Sequence, residues 1–197
     1  TGYRGSPLSA YDRELLIAQK HLDADGVVFE AGLNEDLAAT AVWGSQQIGV
    51  FGKPKHEGVY AIWYGKNPGL DRSGDAFKHA NYAGTAKLGG VLAVVGDDHA
   101  AKSATVCNQS EYTFMTHNMP VLSPGDVQDV YDFALFGWEL SRYAGCWVGY
   151  KVEPNNMDRT QTVCVDPERV QIKTPTDFEL PPDGLSIRWP DNQFDQE

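Results

Sequence analysis

Glu35 is the charged residue of this chain whose position most needs a chemical explanation. It opens a segment, 35–47, that is rich in small and apolar residues, and Asn34 before it is a typical N-cap. A carboxylate is costly to desolvate, so this position favours one of two interpretations. Either the helix dipole stabilises an anion in the first turn, as it would for the neighbouring Asp36, or Glu35 exchanges a proton with a ligand. Residue type and position leave both open.

Two other segments combine polar side chains with the features of a turn. Residues 3–7 read Tyr-Arg-Gly-Ser-Pro, which is either an ordinary helix start or a backbone nest whose serine hydroxyl helps to hold a substrate carboxylate. Asp97, Asp98 and His99 follow a continuous apolar run. Adjacent residues after a strand seldom converge on one ion, so we expect no metal there and place these side chains beside a ligand crevice. The sequence assigns no role to Lys78, His79, Lys102 or His117.

The composition narrows the class of protein. With 197 residues, 42% of them hydrophobic, the chain can bury one sizeable core. Its net charge of -11 is spread along the sequence, which disfavours a nucleic acid or an anionic membrane as partner, and no apolar run is long enough to span a bilayer. The three cysteines are far apart and form no CxxC pair, which is typical of a reducing compartment and predicts a cytoplasmic protein.

Hydrophobic periodicity predicts alternating helices and strands. We expect helices at 11–22, 34–47, 75–88, 110–117 and 125–143, strands at 27–29, 58–64, 91–96, 120–122 and 146–152, and a loop at 65–74. This alternation predicts an α/β fold with a doubly wound parallel sheet and helices on both faces. In such sheets ligands bind outside the carboxyl ends of the strands, so the loops after Phe29, Tyr64, Gly96 and Leu122 are the expected site.

The last part of the chain differs in composition. Six of the eleven prolines lie beyond Glu153, and no helical period is visible there. We therefore predict an α/β domain over 1–152 and an extended proline-rich arm or interdomain linker over 153–197. The sequence contains no dinucleotide fingerprint, P-loop, nucleophile elbow or HExxH motif, so those enzyme classes lack support.

Several short segments together identify a family. They are 3–7, 34–38, the Trp-Tyr-Gly-Lys-Asn-Pro-Gly run at 63–69, the Gly-Gly-Val-Leu-Ala-Val-Val-Gly-Asp-Asp run at 89–98, and 120–128. In this order they resemble the N-terminal pyrimidine-binding domain of the 2-oxoacid:ferredoxin oxidoreductases, in particular the long fused indolepyruvate type. The resemblance covers roughly residues 1–172 and implies the thiamine diphosphate-binding fold. We expect the chain to be one part of a longer protein.

The resemblance implies a role for the residues singled out above. Glu35 stands where the family has the carboxylate that hydrogen-bonds N1′ of the aminopyrimidine of thiamine diphosphate. Ser6 stands where many relatives have a threonine beside the substrate carbonyl. Arg4 stands where they often have proline. We expect both residues to bind the substrate. The remaining candidate cofactor-binding residues are Tyr3, Gly5, Pro7, Asp97, Asp98 and His99.

The resemblance also implies a reaction and partners. Such an enzyme oxidatively decarboxylates a 2-oxoacid, here an aryl-pyruvate, to an acyl-coenzyme A and passes the electrons through [4Fe-4S] clusters to ferredoxin. The family's Gly-Asp-Gly motif for Mg²⁺ and diphosphate is absent from this sequence. The cofactor is therefore expected to be shared with a diphosphate-binding domain, in a homodimer, and the chain alone is expected to be inactive. Two alternatives stay open: a sister enzyme for another 2-oxoacid, or a non-catalytic module for subunit docking.

Overall fold

The computed structural model describes residues 1–50 and 52–181. At its centre is a parallel sheet with the strand order β1-β2-β4-β3. The strands are β1 (Tyr60–Lys66), β2 (Gly90–Gly96), β3 (Val121–Leu122) and β4 (Val148–Val152). The predicted parallel sheet is confirmed, and the apolar run at 91–96 forms the interior strand β2, which pairs with β1 on one side and β4 on the other.

The N-terminus extends the sheet beyond β1. Gly2 forms parallel bridges to Tyr64 and to Ala31, and it accepts a hydrogen bond from the Gly32 amide at 2.7 Å. A β-carbon at Gly2 would lie 2.1 Å from the Tyr64 carbonyl oxygen, so this strand-like pairing requires glycine. The predicted strand at 27–29 is wrong, because the pairing occurs at Ala31 and Val28 is 85% exposed.

The helices differ from the sequence prediction mainly at their ends. They are α1 (Ser9–Ile17), α2 (Gln19–Ala24), α3 (Glu35–Gln46), α4 (Asn67–Arg72), α5 (Gly74–Ala83), α6 (Glu111–Thr116), α7 (Val127–Ala144) and α8 (Pro154–Met157). The helix predicted at 11–22 is divided at Ala18 into α1 and α2. The loop predicted at 65–74 is wrong: it contains the end of β1 and α4, whose first turn accommodates Pro68. Helix α5 ends before Gly84, which has a positive φ of 75°.

Helices cover both faces of the sheet, as predicted. Helices α3, α5 and α6 pack on one face around Trp63, Phe77 and Trp147, with the rings of Trp63 and Phe77 in edge-to-face contact at 4.8 Å. Helices α1 and α7 pack on the other face around Tyr64 and Tyr150. Both faces of β2 are therefore buried, which explains its continuous apolar sequence.

The chain beyond β4 lies against α7. Residues 154–157 form the short helix α8, so the prediction of no helix beyond Glu153 is wrong there. Farther on, the Cys164 amide donates to Gln128 Oε1 at 2.7 Å, and Arg169 forms an ion pair with Asp132. The division into a domain and an arm stays a prediction, and the prolines at 182 and 190 lie outside the described residues. Among the described helices, none has both the length and the apolarity to cross a membrane.

Candidate functional site

The segments that the sequence analysis singled out meet at the carboxyl edge of the sheet. A β-carbon at Gly96, the last residue of β2, would lie 2.6 Å from Cδ of Pro7. A β-carbon at Gly5 would lie 3.4 Å from Cβ of Lys66, the last residue of β1. Segment 3–7 therefore lies directly against the ends of β1 and β2, where a parallel sheet binds its ligands.

Glu35 is fixed by the start of α3 and by β1. The side chain of Asn34 accepts a hydrogen bond from the Leu37 amide at 2.9 Å, so Asn34 is the N-cap that the sequence predicts. The Glu35 carbonyl oxygen accepts a hydrogen bond from the Trp63 indole nitrogen at 3.1 Å. Because Trp63 is fully buried in the core, this bond ties the first turn of α3 to β1.

The side chain of Glu35 lies against Gly69 in α4. A β-carbon at Gly69 would lie 2.4 Å from Glu35 Cγ and 2.9 Å from Oε1, so a glycine is needed there. Trp63 and Gly69 begin and end the 63–69 segment that carries the family resemblance. These two contacts were not predicted, because the sequence indicated a loop at 65–74 and a glycine in a loop does not stand out.

The carboxylate of Glu35 has a charged neighbour but a free hydrogen-bonding capacity. Its side chain is 15% exposed, and Oε2 lies 3.9 Å from Arg72 Nη1. Arg72 is held mainly by Asp36, whose Oδ2 lies 2.9 Å from the arginine Nε. Within residues 1–50 and 52–181, no donor hydrogen-bonds the Glu35 carboxylate, so both oxygens can accept from a ligand.

Segment 3–7 is a turn with its polar side chains exposed. The Leu8 amide donates to the Gly5 carbonyl at 2.7 Å, and the peptide bond between Ser6 and Pro7 is cis. Pro7 is buried, whereas Tyr3, Arg4 and Ser6 are exposed and Tyr3 retains 45% of its surface. The turn therefore presents a ring, a cation and a hydroxyl at the carboxyl edge of the sheet.

Asp97 and Asp98 are both buried, but each binds its own loop. Asp97 Oδ2 accepts from the amide and the hydroxyl of Ser110, both at 3.0 Å, and burial raises the pKa of this carboxyl. Asp98 accepts from the Lys102 amide and from the amide and hydroxyl of Ser103, and the Ser103 amide is the main cause of its lowered pKa. These carboxylates organise the loop after β2.

His99 belongs to a charged group at the ends of β2 and β4. Its Nε2 lies 2.9 Å from Glu153 Oε1, and this hydrogen bond raises the pKa of the imidazole. Lys151 is 8% exposed and lies 2.5 Å from Glu111 and 2.8 Å from Glu153. In the part of the chain that the structure describes, no three His, Cys, Asp or Glu side chains are grouped to hold a metal ion. The predicted cofactor contacts of Asp97, Asp98 and His99 stay predictions.

Comparisons of the sequence and of the fold with known proteins both give matches. No family model matches the chain. The chain is 28% identical, over 148 residues, to the indolepyruvate oxidoreductase subunit IorA of Pyrococcus horikoshii, and the match covers 73% of this chain and 20% of that protein. Its fold matches a 2-oxoglutarate:ferredoxin oxidoreductase from Magnetococcus marinus with 2-oxoglutarate, coenzyme A and succinyl-CoA bound. That match has a TM-score of 0.58 and 19% identity, and it covers 78% of this chain and 26% of that one.

The chain thus spans about a fifth of the curated relative and about a quarter of the solved chain. The sequence match and the fold match point to the same group of proteins. The sequence match confirms the resemblance inferred from the short segments, and the match at 19% identity shows a similar fold.

Proposed function

We propose that this chain is the pyrimidine-binding part of a thiamine diphosphate-dependent 2-oxoacid:ferredoxin oxidoreductase that acts on an aryl-pyruvate such as indolepyruvate. The observation that carries the proposal is the Glu35 carboxylate, which packs against Gly69 at the start of a helix that Asn34 caps and Trp63 ties to β1. Its oxygens have no hydrogen-bond donor in the described part of the protein.

The polar side chains at this edge fit the pyrimidine half of the cofactor. A ring nitrogen of the aminopyrimidine can share a proton with a carboxyl group, and Glu35 provides one whose side chain is 15% exposed. Thiamine diphosphate, when bound, supplies the electron sink that allows a 2-oxoacid to lose carbon dioxide. The part of Glu35 is to hold the proton of that ring nitrogen and exchange it. Ser6 and Arg4 are exposed in the turn that lies against the ends of β1 and β2, and they would contact the substrate.

The surface around Glu35 supports a shared cofactor site. Leu33 and Leu37, two residues before and two after Glu35 in sequence, are 82% and 52% exposed, so these apolar side chains have little cover from the described part of the chain. Exposed apolar groups of this kind mark contact surfaces. We assign this one to a diphosphate-binding domain that brings Mg²⁺ and the Gly-Asp-Gly motif absent here. The [4Fe-4S] clusters, coenzyme A, ferredoxin, homodimer and cytoplasmic location belong to the same proposal for the whole enzyme.

The proposal is tested by 2-oxoacid-dependent reduction of ferredoxin. The enzyme that contains this chain is freed of thiamine diphosphate, and reduction is followed with indolepyruvate, phenylpyruvate, pyruvate and 2-oxoglutarate before and after the cofactor is restored. We expect reduction that depends on the cofactor and is fastest with an aryl-pyruvate. A preference for another oxoacid would favour a sister enzyme, and no reduction with any of them would favour a docking module.

A further inference from the structure

Lys66 is the last residue of β1, at the carboxyl edge of the sheet, where neighbouring strands lead to helices on opposite faces. The N-terminal strand-like segment leads to α1 on one face, while β1 leads to α4 on the other. Ligands of open α/β sheets bind in the crevice at such a point. The stem of Lys66 passes Gly5, where an added β-carbon would meet Lys66 Cβ at 3.4 Å and Cδ at 3.6 Å. Lys66 therefore sits next to the turn that carries Ser6.

The ammonium of Lys66 is enclosed but not closely paired. Its side chain is 15% exposed, and it donates one hydrogen bond, to Ser103 Oγ at 2.7 Å. An ammonium has three donors, and no other described residue hydrogen-bonds this one. Asp98 Oδ2 lies 3.9 Å away, and this carboxylate already accepts three hydrogen bonds from Lys102 and Ser103. Lys66 thus keeps unused capacity to bind an anion.

Two other cations at this edge lack that capacity, and the side chain of Arg4 is exposed to solvent. Lys151 is closely paired with both Glu111 and Glu153, at 2.5 and 2.8 Å. Arg72 is 55% exposed and is held by Asp36 at 2.9 Å. Among these three cations, Lys66 combines a mostly desolvated charge with a distant carboxylate partner. A desolvated cation binds an anion more strongly than an exposed one, because solvent screens it less.

We propose that Lys66 binds the carboxylate of the 2-oxoacid while the neighbouring Ser6 faces its carbonyl. The inference rests on the proposed function and extends it to a specificity residue. This chain has a net charge of -11, so an anionic substrate that binds to it gains from a local cation. The carboxylate and carbonyl of a 2-oxoacid are adjacent, which fits a cation and a hydroxyl on neighbouring segments.

The test separates charge recognition from general damage to the site. Indole-3-propionate, a non-reactive carboxylate, and its neutral amide are titrated into the complete enzyme with thiamine diphosphate bound. We expect the wild type to prefer the acid, and Lys66→Gln to weaken the acid about 10-fold to 100-fold with the amide unchanged, as for a charged hydrogen bond. Lys66→Arg should restore most of the preference, because it keeps the charge. Lys102→Gln, which removes an equal charge from an exposed side chain in the loop after β2, should leave both affinities unchanged.

Three results would overturn the inference. They are an unchanged acid affinity in Lys66→Gln, an equal loss for acid and amide, and a wild type that binds neither compound. Glu35→Gln tells the two proposals apart. If Glu35→Gln abolishes oxoacid oxidation while Lys66→Gln keeps the preference for the acid, only the role of Lys66 fails. If Glu35→Gln keeps full turnover, the proposed function itself fails.

Discussion

Gly69 leaves the space that the Glu35 side chain occupies. The two residues are far apart in sequence, yet a β-carbon at Gly69 would lie 2.4 Å from Glu35 Cγ. Together with the indole hydrogen bond from Trp63 to the Glu35 carbonyl, this contact makes the 63–69 segment a support for the carboxylate. The segment thus has a physical role at the candidate site without itself carrying the reactive group.

Gly69→Ala is expected to displace the Glu35 carboxylate and lower turnover of the complete enzyme by about 100-fold, as small misplacements at reacting groups do. The matched control is Gly44→Ala in α3, where an added β-carbon meets nothing within 4 Å. Since alanine favours a helix over glycine by about 1 kcal/mol, the control should be stable and active. Steady-state kinetics measure both variants, and wild-type turnover in Gly69→Ala would refute the support role.

Asn34→Ala is expected to lower the free energy of unfolding by about 1 kcal/mol, the usual cost of a lost N-cap. The reason is the hydrogen bond from the Leu37 amide to the Asn34 side chain, at 2.9 Å. Urea unfolding measures the change. Asn34→Ser keeps a cap and should recover most of the stability, so equal losses in the two variants would contradict the capping role.

Local chemistry made some elements predictable from sequence. The N-cap at Asn34 and the apolar run of β2 are confirmed, because a cap and a doubly buried strand depend on neighbouring residues. The strand predicted at 27–29 failed because β-branched residues favour a strand only where a partner pairs with them, and Gly2 pairs with Ala31 instead. Pro68 indicated a loop but lies in the first turn of α4, where proline is tolerated.

The candidate site was predictable only in part. The expected site lay in the loops after the strands, which include Glu35 and residues 97–99, while segment 3–7 joined it only through the family resemblance. The close approaches of Gly96 to Pro7 and of Gly5 to Lys66 place segment 3–7 at the carboxyl edge of the sheet. The supporting roles of Gly69 and the open ammonium of Lys66 depend on contacts between distant residues. No local pattern contains that information.

The His99–Glu153 pair predicts a pH-dependent stability. The hydrogen bond to Glu153, 2.9 Å long, raises the pKa of His99 above the ordinary value of 6.5. A raised folded-state pKa stabilises the protein fully below about pH 6.5, and the contribution is lost as the pH rises through the folded-state pKa. The unfolding free energies of the wild type and His99→Gln should therefore differ most below about pH 6.5 and converge as the pH rises above the folded-state pKa of His99. A gap that is constant between about pH 5 and 9 would contradict this pairing.

The apolar residues around Glu35 predict self-association of the chain when it is studied alone. Leu33 is 82% exposed beside the carboxylate, so an uncovered contact surface is expected to bind a second copy. Sedimentation velocity across a range of concentrations measures the association. Leu33→Glu should reduce it, whereas Val165→Glu, at a residue that is 67% exposed beyond α8, should not. A strictly monomeric chain at every concentration would count against the surface.

The most direct test of the central claim is the turnover of Glu35→Gln in the complete enzyme with saturating thiamine diphosphate. Glutamine keeps the size of the side chain, the space beside Gly69 and the hydrogen bond from Trp63 to the backbone, but it cannot exchange a proton. We predict a loss of about 100-fold or more in 2-oxoacid-dependent ferredoxin reduction, the scale of a lost general acid-base group, with assembly unchanged. Turnover within about twofold of the wild type would show that Glu35 does not activate the cofactor.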